Sequence, residues 1–130
     1  MKKPTILIVD SDESSILLLE EMIRMVFEET QDYQILSTSS GNEAISLCYE
    51  NDTSLILTEI NLKDVDGLEV TKKIKAFCPN VPVIIQTAFI TDDTEKQVYS
   101  AGADNFIAKP IDTNVMRNKI KQVLDVPLTS

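Results

Sequence analysis

Short apolar runs alternate with amphipathic segments along the whole chain. The apolar runs have the length of strands, and the segments between them repeat their apolar residues at the three- and four-residue intervals typical of helices. The predicted strands are Thr5–Val9, Tyr33–Ser37, Leu55–Thr58, Val81–Thr87 and Asn105–Ala108. The predicted helices are Ser14–Glu29, Asn42–Glu50, Gly67–Cys78, Asp92–Ala101 and Asp112–Leu124. The pattern therefore indicates five strand–helix units.

Polar residues and one glycine mark several of the predicted helix ends. Ser40 is followed three residues later by Glu43, the spacing of a capping box at the start of the second helix. Thr91 stands at the start of the fourth helix and Asp112 at the start of the fifth, both residue types that cap helices. Gly102 is the expected terminator of the fourth helix.

Nearly all residues of several predicted strands are apolar, which indicates strands buried on both faces of a parallel sheet between layers of helices. Right-handed crossovers leave few arrangements of such units. We predict an α/β fold with a doubly wound, five-stranded parallel sheet of order 2-1-3-4-5. The functional crevice of such a sheet lies beyond the carboxyl ends of its strands. The predicted domain covers residues 1–126, and residues 127–130 form a tail.

Composition excludes several classes of function. The 130 residues are 43% hydrophobic and 25% charged, as expected for one globular domain, and the net charge of -9 argues against a nucleic-acid partner. No apolar stretch reaches the ~20 residues that span a bilayer, and no signal peptide is recognisable, so we expect a cytoplasmic protein. The absence of histidine excludes imidazole chemistry. Cys48 and Cys78 lack metal-ligand spacing and are interpreted as small core residues rather than a disulfide or redox pair.

Four predicted strands end in side chains suited to anion chemistry. Asp10 follows the first strand, Glu59 the third and Lys109 the fifth, while Thr87 ends the fourth. Only three glycines are present, and neither a dinucleotide-binding fingerprint nor a P-loop can be found. A site built from carboxylates needs a divalent cation before it can approach a phosphate, and Mg²⁺ is the oxygen-seeking candidate.

The ordered set ILIVD, LILTEINLKDVDGLEV, VIIQTA and NFIAKPI resembles the receiver domain of two-component response regulators over essentially the whole chain. QTA, GAD-x-F and KPI are also similar to receivers carried by hybrid sensor kinases. The resemblance implies the flavodoxin-like (receiver) fold and a regulatory module rather than an enzyme. It implies phosphoryl transfer from a histidine kinase or phosphotransfer protein, and output to a signalling protein through helix 4, strand 5 and helix 5. We expect a monomer or weak homodimer.

The resemblance assigns the acceptor and metal positions. Asp10 and Ser11 occupy the paired acidic positions that hold Mg²⁺, and Asn61 would offer its backbone carbonyl to the metal. Glu59 occupies the position of the phosphoaccepting Asp.

The resemblance also assigns the switch and phosphoryl-pairing positions. Thr87 matches the switch hydroxyl and Phe106 the switch aromatic, although a core role for Phe106 stays open. Lys109 matches the lysine that pairs with the phosphoryl group, and Pro110 the proline usually found in cis. Residues 97–99 on the fourth helix are a candidate partner surface.

Three residues depart from the family pattern: Ser11 replaces an acid, Glu59 replaces Asp and Lys63 replaces a proline. With Ser11 in place, the metal carboxylates fall to Asp10 and Glu59, and Mg²⁺ binding is expected to be weak or absent; Asp12 is an alternative ligand through a water. Glu59 extends its carboxylate by about 1.5 Å, and an error near 1 Å can cost ~10²-fold in rate. We expect the Glu59 carboxylate to pair directly with Lys109.

These departures favour a pseudo-receiver that acts through protein–protein contacts without forming an acyl phosphate. One alternative is a receiver with residual Mg²⁺-dependent phosphotransfer, in which Glu59 or a nearby residue accepts. A second alternative, from another class, is a flavodoxin-like small-molecule-binding domain that shares only the sheet topology. A fragment of a hybrid histidine kinase is a further interpretation.

Overall fold

The computed structural model describes residues 3–88 and 90–129, and within these ranges five strands alternate with five helices. The strands are β1 (Thr5–Val9), β2 (Gln34–Thr38), β3 (Leu55–Glu59), β4 (Val83–Thr87) and β5 (Asn105–Ala108). The helices are α1 (Glu13–Val26), α2 (Gly41–Glu50), α3 (Gly67–Phe77), α4 (Thr94–Ser100) and α5 (Thr113–Val123). None of these helices is long and apolar enough to cross a membrane.

The sheet has the order β2-β1-β3-β4-β5 and every neighbouring pair is parallel, which confirms the predicted topology. All residues of β1, β3 and β4 are buried, as their apolar composition predicts. Val9 lies opposite Thr58, and Glu59 lies opposite Gln86. The ends of the central strands therefore lie side by side at one edge of the sheet.

Alternate residues of each strand supply two separate cores, because successive side chains of a strand point to opposite faces. The first core lies under α1 and α5 and includes Ile8, Leu57 and Ile107. The second core lies under α2, α3 and α4 and includes Val9 and Ile85. Asp10, Glu59 and Lys109 continue the alternation of the residues in the first core and so emerge on the face of α1 and α5.

Helix α1 ends at Val26, three residues earlier than predicted. Phe27 leaves the helix with extended backbone and is buried, with its ring in an edge-to-face contact with Tyr33 at a centroid distance of 4.8 Å. Leu128 forms an isolated bridge with Phe27, and the Thr129 N–H donates to the Val26 carbonyl at 2.8 Å. Contacts with residues distant in sequence therefore end α1 at Val26, although the sequence pattern predicts a helix up to Glu29.

Two further predicted boundaries are wrong for local reasons. The fourth strand begins at Val83 rather than Val81, because Pro82 has no N–H to contribute to the sheet. Helix α4 begins at Thr94, and Thr91 does not cap it; the Thr91 N–H instead donates to the Thr94 hydroxyl at 2.7 Å. The predicted caps Ser40 and Asp112 are present, each accepting backbone N–H groups of the helix that it precedes.

Candidate functional site

Asp10, Glu59 and Lys109 meet at the carboxyl edge of the sheet. The Lys109 Nζ donates to Asp10 Oδ2 at 2.7 Å and to Glu59 Oε1 at 3.2 Å. Asp10 is 1% exposed and Glu59 6% exposed, so both carboxylates are nearly sealed from water. The structure thus brings together three residues predicted from three different strands, and it contains the expected pair between Glu59 and Lys109.

The remaining oxygens of both carboxylates also accept hydrogen bonds. The Asp12 N–H donates to Asp10 Oδ1 at 2.9 Å, and the Ile60 N–H donates to Glu59 Oε2 at 2.7 Å. Each of the four carboxylate oxygens therefore has a protein donor. Hydrogen bonds to every carboxylate oxygen lower the free-energy cost of burying the two charges.

Lys109 is held in its charged form by the two acids. Burial alone would lower the pKa of the Lys109 ammonium, but the hydrogen bond and charge of Asp10, followed by those of Glu59, outweigh burial and raise that pKa above its ordinary value of 10.5. The ammonium bridges the ends of β1 and β3 from the segment that follows β5.

Ser11 changes the chemistry of the neighbouring loop. Its hydroxyl donates to the backbone carbonyl of Asn61 at 3.2 Å. Asn61 is the residue whose carbonyl the family resemblance assigns to the metal. An ionised acid at position 11 would have no proton to donate to that carbonyl. Serine in place of an acid at position 11 therefore removes one possible metal ligand. Its hydroxyl also hydrogen-bonds to the carbonyl of Asn61, a second possible ligand.

The residues at this edge fit Mg²⁺ poorly. Mg²⁺ requires a nearly ideal octahedron of oxygens, and here two carboxylates are already bonded to one ammonium. Within residues 3–88 and 90–129, no group of three or more acids, cysteines or histidines is arranged to hold a metal ion. Asp12, the alternative ligand, instead caps α1, where its carboxylate accepts the Ser14 N–H at 2.9 Å.

The predicted switch residues lie in different surroundings. Thr87 is fully buried at the end of β4. Phe106 on β5 is half-buried and packs against the second core, as the alternative interpretation allowed. Val98 is fully buried in that core, so its inclusion in a partner surface is wrong; Gln97 and Tyr99 are exposed. A helical residue next to exposed neighbours faces the core because successive residues turn by about 100°.

The segment after Lys109 has the backbone that the resemblance implied. The peptide bond between Lys109 and Pro110 is cis. A cavity of about 200 Å³ lies beside this segment. Its lining comes from α1 and from the chain after β5: Ser15, Leu18, Leu19, Lys109, Pro110 and Ile111.

Asp64 is a residue that sequence reasoning missed. Its carboxylate accepts hydrogen bonds from the Ser40 hydroxyl at 2.7 Å, the Gly41 N–H at 2.9 Å and the Asn42 N–H at 3.1 Å. These bonds, led by that of Ser40, hold the pKa of the Asp64 carboxyl well below its usual range. They tie the loop between β3 and α3 to the beginning of α2. The capping pattern at Ser40 is visible in the sequence, but no local signal points to a residue 24 positions away.

Glycine at position 67 lets α3 begin directly against β3. A Cβ atom there would lie 1.9 Å from the Glu59 carbonyl oxygen, and the Gly67 N–H donates to the Ile60 carbonyl at 2.7 Å. Only glycine permits this approach of two backbones. The start of α3 therefore helps to position the backbone of Glu59.

Gln86 is the second residue that sequence reasoning missed. It lies opposite Glu59 in the pairing of β3 with β4 and is fully buried. Within the described part of the chain, neither its amide nitrogen nor its amide oxygen has a hydrogen-bond partner. The run VIIQT already shows a polar residue inside an apolar strand, which is the one sequence signal that could have drawn attention to it.

The sequence has relatives of known class. A family model described as the response regulator receiver domain matches residues 6–121. The chain is 34% identical over 122 residues to the polar-differentiation response regulator DivK of Brucella ovis, with 92% of this chain and 95% of DivK covered. It is 30% identical over 119 residues to the transcriptional regulatory protein ZraR of Klebsiella oxytoca, where it spans 92% of its own length and only 26% of ZraR.

Solved structures show the same architecture. A CheY-like response regulator receiver domain protein from Methanospirillum hungatei superposes with a TM-score of 0.81 at 27% identity, with 95% of each chain covered. A two-component response regulator from Clostridium difficile superposes with a TM-score of 0.82 at 26% identity, covering 93% of this chain and 95% of that one. Asp10, Glu59 and Lys109 lie within residues 6–121, the range that the family model matches.

Proposed function

Since this chain belongs to the family of response regulator receiver domains, we propose that it is a pseudo-receiver, in which Glu59 replaces the phosphoaccepting Asp and signalling proceeds through protein–protein contacts. Family membership makes the chain a receiver module of two-component signalling, which is a regulatory domain rather than a catalyst. The degenerate acceptor site and the mode of action are the proposed part.

The observation that carries this proposal is the double ion pair of Lys109 with Asp10 and Glu59. By family resemblance, Lys109 is the residue that would pair with a phosphoryl group on the acceptor. Here the Lys109 ammonium is already hydrogen-bonded to the carboxylate of Glu59 itself. The pair imitates part of the charge of a phosphorylated Asp, and it would have to break before a phosphoryl group could take its place.

Weak Mg²⁺ binding is the second part of the proposal. The hydroxyl of Ser11 supplies no charge to a cation and bonds to the Asn61 carbonyl. In-line phosphoryl transfer depends on placing metal, phosphorus and attacking oxygen together. If Mg²⁺ were bound, Asp10 and Glu59 would be the carboxylates that hold it, and both already share the Lys109 ammonium.

The proposed partner surface is the face formed by α4, β5 and α5. Tyr99 on α4 and Val115 on α5 are each 42% exposed, and Phe106 lies half-buried on β5. Exposed aromatic and aliphatic side chains supply the apolar contact area that protein interfaces use. The partner would be a histidine kinase, a phosphotransfer protein or a downstream signalling protein, which binds a receiver whose state does not depend on phosphate.

Incubation with acetyl phosphate and Mg²⁺, followed by intact mass measurement, tests the proposal. We expect no stoichiometric addition of about 80 Da, the mass of one phosphoryl group, to the wild-type chain. The double variant Ser11→Asp/Glu59→Asp is the matched positive control, because it restores both family carboxylates. We expect that variant to gain the adduct, and this result would show that the rest of the site is intact.

Residual phosphotransfer is the second candidate, because Asp10, Thr87 and Lys109 keep the residue types of the family. A stoichiometric wild-type adduct that disappears in Glu59→Gln would replace the pseudo-receiver with this candidate. Asp10, Thr87 and Lys109 are compatible with both candidate functions. The mass measurement is therefore what distinguishes a pseudo-receiver from a receiver with residual phosphotransfer.

A further inference from the structure

The ends of α2 and α3 bring the two cysteines of the chain together. Cys48 lies near the end of α2 and is 2% exposed, whereas Cys78 is the residue that ends α3 and is partly exposed. Both pack into the second core. The residues beside them in the sequence, Tyr49 and Phe77, are in edge-to-face contact with ring centroids 5.6 Å apart. The side chains that follow Cys48 and precede Cys78 are therefore in contact across the ends of α2 and α3.

The two thiols are neighbours with different surroundings. Burial raises the pKa of the Cys48 thiol to about 11; Thr53 lowers that pKa through a hydrogen bond, and the Cys78 thiol raises it. Cys48 is therefore protonated near neutral pH and shielded from solvent. Cys78 is the thiol that a small oxidant would reach first, because it is partly exposed.

We propose that Cys48 and Cys78 are a redox-sensitive pair that closes to an intramolecular disulfide when the chain meets a hydroperoxide. Both cysteines are free thiols in this structure. The sequence interpretation treats both as small core residues rather than a disulfide or redox pair. It describes their packing, but a separation of 30 residues gives no sign that Cys78 lies near enough to Cys48 to raise its pKa. The inference is independent of the proposed function, since it concerns neither Glu59 nor Lys109.

The chemistry needs only the two thiols and one hydroperoxide. The Cys78 sulfur attacks one peroxide oxygen, the O–O bond breaks, and the leaving oxygen takes up the thiol proton, as water when the oxidant is hydrogen peroxide. The Cys48 sulfur then attacks the sulfenic sulfur of Cys78, the S–O bond breaks, and hydroxide leaves with the Cys48 proton as a second water. Two thiols are oxidised, and one peroxide is reduced.

The disulfide would enclose the segment that carries the acceptor position. Residues 49–77 lie between the two cysteines and include β3, the Asp64 loop and α3. The bond itself would form at the opposite edge of the sheet from Glu59, because α2 and α3 run back from the carboxyl edge to the amino edge. A cross-link of this kind stabilises a fold by restricting the unfolded chain.

Mass measurement of the full chain tests the pair. The wild-type protein is treated with hydrogen peroxide, alkylated with iodoacetamide and compared with an untreated sample. We expect a monomer that has lost about 2 Da, the two hydrogens removed when two thiols become one disulfide, and that carries no alkyl group. Peptide mapping should join Cys48 to Cys78, and dithiothreitol should restore both thiols.

Single variants provide the controls. Cys78→Ala and Cys48→Ala should each abolish the loss of mass, and Cys48→Val serves in place of Cys48→Ala if that variant does not fold. Wild-type chains that remain alkylated at both cysteines, that accumulate sulfinic acid at either one, or that cross-link only between molecules would overturn the proposal. None of these readings depends on phosphorylation, so their failure is distinguishable from a failure of the pseudo-receiver function.

Discussion

At the scale of single residues, Lys109 determines whether two buried acids are tolerated at one edge of the sheet. Its ammonium is the group that neutralises charge between Asp10 and Glu59, whose side chains are both nearly buried. Removing one partner of a buried ion pair leaves an uncompensated charge, which costs more than the pair contributes. The contacts of Lys109 are therefore expected to matter for folding as well as for signalling.

Replacing Lys109 with Met keeps much of the aliphatic volume and removes the charge. We expect Lys109→Met to lower the free energy of unfolding at pH 7 by about 3 kcal/mol, measured by urea denaturation. Lys121→Met on the exposed face of α5 is the matched control and should change stability little. Equal stabilities for the two variants would show that the carboxylates do not need the ammonium.

The raised pKa of Lys109 predicts how the free energy of unfolding depends on pH. A group whose pKa is raised by folding contributes stability that is complete below its unfolded pKa and is lost as pH rises through the folded value. For Lys109 the ordinary pKa is 10.5 and the folded pKa lies above it. The difference in unfolding free energy between wild type and Lys109→Met should therefore shrink only as pH rises above 10.5 on the alkaline side. A difference already lost between pH 7 and 9 would contradict this assignment.

Gln86 carries a cost in stability that a single substitution can reveal. Its buried amide lacks a hydrogen-bond partner within residues 3–88 and 90–129, and such a group costs free energy on folding. Gln86→Met has a similar shape without polar atoms, so we expect the free energy of unfolding to rise by about 1 kcal/mol in urea denaturation. Gln97→Met on the exposed face of α4 is the control. A clear loss of stability in Gln86→Met would mean that the amide is bonded in solution.

At the scale of secondary-structure elements, Asp64 joins two elements that the sheet does not connect. Its carboxylate lies in the loop after β3 and accepts two N–H groups at the start of α2, where the helix dipole favours negative charge. Lys63 stands where the family has a proline, so the loop lacks the rigidity of that ring. The hydrogen bonds of Asp64 restrain the loop in its place.

Asp64→Asn tests this restraint, because Asn keeps the shape and one acceptor oxygen but loses the charge. The pKa of Asp64 is lowered by folding from an ordinary 3.8, so its contribution is present above that pH and is lost as pH falls through the folded value. We expect Asp64→Asn to unfold at a lower urea concentration than wild type at pH 7, with the difference closing at pH values below 3.8. Glu29→Gln, which removes one exposed carboxylate elsewhere, should leave the midpoint unchanged at both pH values.

Local patterns predict the elements well and their ends less well. The five strands and five helices follow from apolar periodicity, and the sheet order follows from the rules of parallel crossovers. The end of α1 was missed because Phe27 packs on Tyr33 and bridges to Leu128, contacts that lie outside any local window. The contact of Asp64 with Ser40 was missed for the same reason. Glu59 and Lys109 were recognised because parallel strands bring their ends to one edge whatever their separation in sequence.

At the scale of the whole molecule, the two ends of the sheet have different characters. The carboxyl edge holds the acids and the lysine, and the loops from β1 and β3 are bonded to each other there through Ser11 and Asn61. The amino edge holds the two free cysteines, at the ends of α2 and α3. A ligand that binds only the folded chain stabilises it by mass action, so a stability measurement can report on binding at the carboxyl edge.

Mg²⁺ provides the measurement for the carboxyl edge. A site whose dissociation constant is a tenth of the Mg²⁺ concentration would add about 1.4 kcal/mol to the free energy of unfolding. We expect MgCl₂ to shift the urea midpoint of the wild-type chain no more than NaCl of equal ionic strength does. Ser11→Asp/Glu59→Asp should show a further shift specific to Mg²⁺, because it adds a carboxylate, shortens another and removes the hydroxyl donor to the Asn61 carbonyl. A wild-type shift as large as that of the double variant would show that the wild-type site binds Mg²⁺ although Lys109 is paired with both acids, and the proposal of weak Mg²⁺ binding would be overturned.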